Sequence, residues 1–183
     1  MDKQNDLWHV PVAVDDIPES GLHLELEAPE AVRAALAPQA GLRTLPALKA
    51  SFDLTRRGKN VHVGGTVDAV IGQTCVVTLE PLDNRVAEEV DLLFSPDVAP
   101  SPEAAADEAH SVGHTGDETD APEPLVGGTI DLGAVATEFL MLGIDPYPRK
   151  EGATFDAPQP GLEGAHPFAA LAALKKPSGG QPS

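Results

Sequence analysis

Apolar positions alternate singly over most of the first half of the chain, a period of two that predicts strands. Trp8, Val10, Val12 and Val14 alternate within a lead-in over residues 1–20, which predicts an edge strand. After Gly21, Leu22, Leu24 and Leu26 alternate with His23, Glu25 and Glu27, the pattern of a half-buried strand. Pro29 and Glu30 then suit the first turn of a helix, where a missing N–H costs nothing and a carboxylate meets the positive end of the dipole. Val32, Ala35 and Leu36 form its short apolar stripe, and Pro38 and Gly41 end it.

From residue 43 the period returns to two. Leu48, Ala50, Phe52 and Leu54 share one face of a strand that runs into Arg56-Arg57-Gly58-Lys59-Asn60. A polar stretch with Gly and Asn between two alternating runs predicts a hairpin. Val61, Val63, Val67, Ala69 and Ile71 fall on one parity of a long second strand, and Gly64-Gly65 within it predicts a bulge or bend. A knuckle over Cys75–Asn84 leads to a third alternating run, Val86, Val90, Leu92 and Phe94. The expectation is an antiparallel meander.

Residues 97–124 break the pattern: they hold eight acids, no Lys or Arg, and repeated Pro and Ala. Such a segment buries too little apolar surface to offset its ordering entropy, which predicts a flexible acidic loop. Order resumes at Gly127-Gly128-Thr129-Ile130. Asp131 is a good N-cap, and Leu132, Val135, Ala136, Phe139, Leu140 and Gly143 follow at helical spacing until Pro146 and Pro148. Phe168, Leu171, Ala172 and Leu174 predict a short terminal helix after Pro167, followed by a disordered PSGGQPS tail.

The predicted fold is therefore α+β, a single domain. An antiparallel meander sheet of about four to six strands carries a long helix on one face, with short flanking helices. Its segments are a lead-in or edge strand (1–20), a strand-helix and meander core (21–96), the acidic loop (97–126) and a strand with the long helix (127–150). A Pro/Gly-rich linker, a short helix and a disordered tail (151–183) complete it.

Charge changes the picture more than composition does. The chain of 183 residues carries a formal charge of -17. That repels nucleic acid and anionic membrane at long range and favours a basic partner, unless a local basic patch overrides the mean. The acidic loop is not its only source, because acids outnumber bases in the remainder too. Such a patch exists: Arg43, Lys49, Arg56, Arg57 and Lys59 fall within residues 43–60 against one acid, Asp53. These bases are either a solvated hairpin tip or a phosphate-contacting patch, and with no aromatic beside the tip any RNA contact would be to backbone and shape. Arg85, Arg149 and Lys150 are further candidate contacts for RNA or a protein partner.

Catalytic motifs are not found: there is no nucleophile elbow, phosphate-binding loop or dinucleotide fingerprint, and the expectation is a protein without enzymatic activity. His110 and His114 have ligand spacing but lie in the acidic loop, so solvated side chains are expected. One cysteine, Cys75, permits no internal disulfide and fits a reducing compartment. Among the Val residues of the knuckle it reads as a small buried hydrophobe, with a reactive or metal-linked thiol as the alternative. No cofactor, metal or small-molecule substrate is expected. The first residues lack the order of a signal peptide, and no apolar run approaches the roughly 20 residues of a membrane span, so the expected site is the cytoplasm.

Four blocks in order resemble the YceD family, the large ribosomal RNA subunit accumulation proteins. They are Cys75-Val-Val-Thr78-Leu-Glu-Pro81 with a strand ending Leu93-Phe94-Ser95-Pro96; Gly128-Thr-Ile-Asp131-Leu132; Asp145-Pro-Tyr-Pro-Arg-Lys150; and Pro167-Phe168-Ala-Ala-Leu171-Ala-Ala-Leu174-Lys175. The blocks span roughly residues 43–176. Many members of that family carry Cys-x-x-Cys at the knuckle. Here Thr78 takes the second place, and Thr is a poor zinc ligand. The form seen here resembles that of alphaproteobacterial members. The resemblance implies ribosome biogenesis: 23S rRNA accumulation and large ribosomal subunit assembly, through binding to precursor rRNA or a ribosomal protein. It leaves the direct partner, the assembly step and the oligomeric state open.

Overall fold

Three long strands dominate the structure, a computed structural model that describes residues 7–98 and 121–155. They are β3 (Thr44–Arg57), β4 (Asn60–Thr74) and β5 (Pro81–Ser95), and they pair antiparallel in succession as the meander predicts. β2 (Leu22–Glu27) adds to β3, and the two-residue β6 (Glu123–Pro124) adds to β5, giving a five-stranded sheet in the order β2-β3-β4-β5-β6. β6 runs parallel to β5, so the sheet is mixed and not wholly antiparallel. The lead-in strand β1 (Pro11–Ala13) does not edge this sheet. It pairs with β7 (Thr129–Asp131) in a separate two-stranded sheet.

Alternation decides which face is inner. Leu48, Ala50, Phe52 and Leu54 of β3 and Val61, Val63, Val67, Ala69 and Ile71 of β4 are all buried, with Val86 and Val90 of β5. Burying each large side chain stabilises by about 1.5–3 kcal/mol. Helix α1 (Glu30–Gln39) packs against β3, and α2 (Leu132–Leu142) packs against β4, β5 and β1. Leu36 of α1 and Leu132, Ala136 and Leu140 of α2 join the strand residues in one hydrophobic cluster.

Several local expectations change. Gly64-Gly65 makes no bulge, since β4 keeps register with both neighbours through it. Gly65 is there because a Cβ would sit 2.1 Å from the Ser51 carbonyl oxygen and 2.9 Å from the Phe52 ring. The register shift lies instead between Thr44 and Ala47 of β3. The knuckle is shorter than Cys75–Asn84, because β5 already begins at Pro81, opposite Thr74. Pro38 lies within the last turn of α1, which ends one residue later at Gln39. α2 has 11 residues against 10 in α1, so it is not a long helix.

The acidic segment from 97 is described only at its two ends, and Glu123–Pro124 within it is strand β6. The predicted terminal helix and tail, with Pro167, Phe168, Leu171, Leu174 and Lys175, lie outside the described residues, as do His110 and His114. Among the described residues no helix is long and apolar enough to cross a membrane.

Candidate functional site

The structure splits the candidate basic residues between the two ends of the sheet. Arg56, Arg57 and Lys59 sit at the β3–β4 hairpin, where Arg57 pairs with Asn60 across the two-residue turn Gly58-Lys59. Gly58 has φ +67°, the positive value a tight primed hairpin turn requires. Arg149 and Lys150 lie by the knuckle, at the other end of β4. About 45 Å of extended strand separates the two groups. Lys49 and Arg85 stand between them on the solvent face of β3 and β5. No continuous basic stripe results. Three of the cations also face acids: Lys49 meets Glu27 at 3.4 Å, Lys59 meets Asp97 at 3.6 Å and Lys150 meets Glu80 at 2.8 Å. All are exposed pairs of small energetic worth. Among the described residues Arg56 and Arg57 have no ion-pair partner.

That same solvent face is predominantly acidic. Cross-strand register aligns Glu25, Ser51, Thr66 and Glu89 in one row, and Glu27, Lys49, Asp68 and Ala87 in the next. A third row holds His23, Asp53, Gly64 and Asp91. With Asp83, seven exposed acids share the face with three bases among the described residues, Lys49, Arg85 and, at the hairpin edge, Arg57. His23 Nδ1 lies 2.8 Å from Asp53 and His62 Nε2 lies 2.6 Å from Asp91. The centre of the face is built from small residues, Ser51, Gly64, Thr66 and Ala87, and a shallow concavity of about 330 Å³ lies beside them between Glu25, Glu27, Lys49 and Asp68. Among the described residues no element covers it.

The knuckle is built around Cys75. Its N–H donates to the Glu80 carbonyl and its own carbonyl accepts from the Leu79 N–H, both at 2.9 Å. Leu79 holds a φ of +59°, unusual for a side chain of its size, and projects into solvent. The segment after α2 closes over this turn: the Val76 N–H donates to the Pro148 carbonyl, and Lys150 reaches Glu80. The Cys75 Sγ accepts two backbone N–H bonds, from Lys150 at 3.3 Å and Thr78 at 3.4 Å. The Lys150 N–H, with Thr78, lowers the thiol from 9.0 to about 6, even though the sulfur is fully enclosed and burial alone would favour the neutral form. Through its side-chain ammonium, 2.8 Å from Oε2, Lys150 holds the Glu80 carboxyl below its ordinary range, and Glu80 raises the Lys150 ammonium.

Thr78 does not replace a second cysteine as a ligand. Its hydroxyl lies 3.5 Å from Glu80 Oε2 and 3.4 Å from the Glu80 N–H. Among the described residues no three His, Cys, Asp or Glu side chains converge as a metal site, so the donor set around Cys75 does not fit a zinc ion.

Sequence reasoning missed the residue that ties the knuckle to the sheet. Gln73 is buried; its Nε2 donates to the Asp145 carbonyl and its Oε1 accepts from the Asn84 amide, both at 2.8 Å. A polar residue on the buried parity of a Val-rich strand was the available signal. At the other end of α2, Asp131 caps the helix as expected. Its Oδ1 accepts from Gly133 and Ala134, and also from the Val10 N–H of the lead-in. Partial burial opposes the anion, but the Val10 N–H, His9 and the helix N–H groups keep its carboxyl below the ordinary value. Leu132 beside it is fully buried.

The family model described as Large ribosomal RNA subunit accumulation protein YceD matches residues 63–175. No curated protein and no solved structure matches the chain. The match begins in β4, runs through the knuckle, β5 and α2, and covers more than half of the sequence: the chain belongs to the YceD family of large ribosomal RNA subunit accumulation proteins.

Proposed function

We propose that this protein is a non-catalytic cytoplasmic factor that supports 23S rRNA accumulation and large ribosomal subunit assembly by holding a basic ribosomal protein. The family's description names accumulation of RNA and no reaction. The observation that favours a protein partner is the open sheet face, with seven exposed acids against Lys49, Arg85 and Arg57 at its hairpin edge. A surface of that sign attracts a cationic protein and repels rRNA phosphates. Holding such a protein would keep it soluble and correctly delivered to the RNA it binds.

A second reading, direct contact with precursor rRNA, is favoured by Arg56 and Arg57, which project from the hairpin without ion-pair partners among the described residues. Lys59, Lys49, Arg85, Arg149 and Lys150 would have to contribute from scattered positions. Such contact would reach phosphates and shape alone.

Binding assays with large-subunit proteins and with 23S rRNA fragments separate the two. In the protein reading, Glu25→Gln/Asp68→Asn/Glu89→Gln weakens capture of a basic ribosomal protein at least tenfold, and Arg56→Gln/Arg57→Gln leaves it unchanged. If the arginine pair abolishes RNA binding and flattens its salt dependence while the acid variants bind normally, the RNA reading holds instead.

A further inference from the structure

An apolar groove of about 360 Å³ runs along the flank of α2, between that helix and the hairpin end of β5. Leu92 and Phe94 form one wall, and Phe139 and Leu142 the other. Val126 borders it at 62% exposure and Leu142 at 70%, large apolar side chains left in water beside the core. Glu123 and Glu138 lie on the rim. The groove atoms around Glu138, and then the Glu123 carboxylate, push the Glu138 carboxyl above its ordinary range, which marks the rim as short of a cation.

The chain itself holds a complement. Phe168, Leu171 and Leu174 recur every third residue among alanines, a narrow apolar stripe with small flanks. Lys175 and Lys176 end it and are the only bases after Lys150. As a helix, ten residues span about 15 Å, and the α2 flank from Ala134 to Leu142 spans about 12 Å. Reach is sufficient. The described chain ends at Phe155, just beyond the Lys150 contact with the knuckle, and Gly143 packs on Val86 and Glu88 on that side of the groove. The residues between Phe155 and Pro167 can extend about 40 Å. A second copy is a poor occupant, because two chains of charge -17 would bring acidic rims together. The family match runs to residue 175 and so includes this segment with the groove.

We propose that residues 167–176 dock as a helix in the groove between α2 and β5, with Phe168, Leu171 and Leu174 against Phe139 and Leu142 and Lys175-Lys176 at Glu123 and Glu138. Docking seals the open flank of α2 with the chain's own C-terminal segment.

Amide hydrogen exchange across residues 134–142 tests this. Three proteins are compared: the full chain, a chain stopped after residue 160, and the full chain with Leu171→Asp/Leu174→Asp. Docking predicts exchange at least tenfold faster in both altered proteins, partial loss of protection in Glu138→Lys, and recovery in the shortened chain on adding a peptide of residues 165–178. Should the shortened chain fail to fold, the double variant carries the comparison. Equal exchange in the full chain and the double variant overturns the proposal. So does protection that rises with protein concentration, which would place a second copy in the groove.

Discussion

Cys75 shows how a single residue can be both buried and ionisable. Its sulfur has no contact with solvent, yet the Lys150 N–H, then the Thr78 hydroxyl and N–H, lower its pKa from 9.0 to about 6. The folded value lies below the unfolded one, so the associated stability is present above the unfolded pKa near 9.0 and is lost as pH falls through about 6. Denaturant titrations at pH 5.5, 7.5 and 9 check this: the stability gap between wild type and Cys75→Ser should widen with pH. A gap that stays constant would place a neutral thiol in the knuckle. Burial of Cys75 was legible from its Val neighbours. Its lowered pKa was not, because the main donor comes from Lys150, 75 positions away in sequence. Asp131 was legible as a cap, but its bond to Val10 was not. Asp131→Ala should therefore cost about 2 kcal/mol in chemical unfolding, since the helix loses its cap and the Val10 N–H its partner.

At the scale of elements, period-two alternation located every long strand because each has one face against the core. It could not tell which strands pair, and β1 joined β7 instead of the main sheet. The start of β5 was hidden because Asn84 occupies an inward position where an apolar residue would have shown the period. Its amide is satisfied by Gln73. β6 is only two residues long and has no period to read. In α2 the helical stripe was plain, but its rotation was not. Phe139 lies half-buried at the rim, and Leu140 is the fully buried residue against the sheet. Leu140→Ala should cost about 2–5 kcal/mol in denaturant melts, more than Phe139→Ala, because it leaves a cavity in a closed interior. Gly143→Val should disturb the same interface, since even a Cβ there would lie 2.4 Å from Val86 Cγ1.

For the whole molecule, net charge was legible from composition, but its arrangement required the fold. Residues 43–60 looked like one basic patch. Pairing instead directs Lys49 into a row with Glu27 and Asp68 and leaves the arginines at a remote tip. Surface charge of this kind acts through encounter, so binding of a cationic partner should weaken several-fold between about 50 and 200 mM salt. The most direct test is the ratio of 23S to 16S rRNA in cells depleted of the protein and supplied with either wild type or Glu25→Lys/Asp68→Lys/Glu89→Lys. Depletion should lower the ratio, wild type should restore it, and the charge-reversed face should not. Normal 23S levels after depletion, or full rescue by the reversed face, would contradict a role in which the acidic sheet surface supports large-subunit assembly.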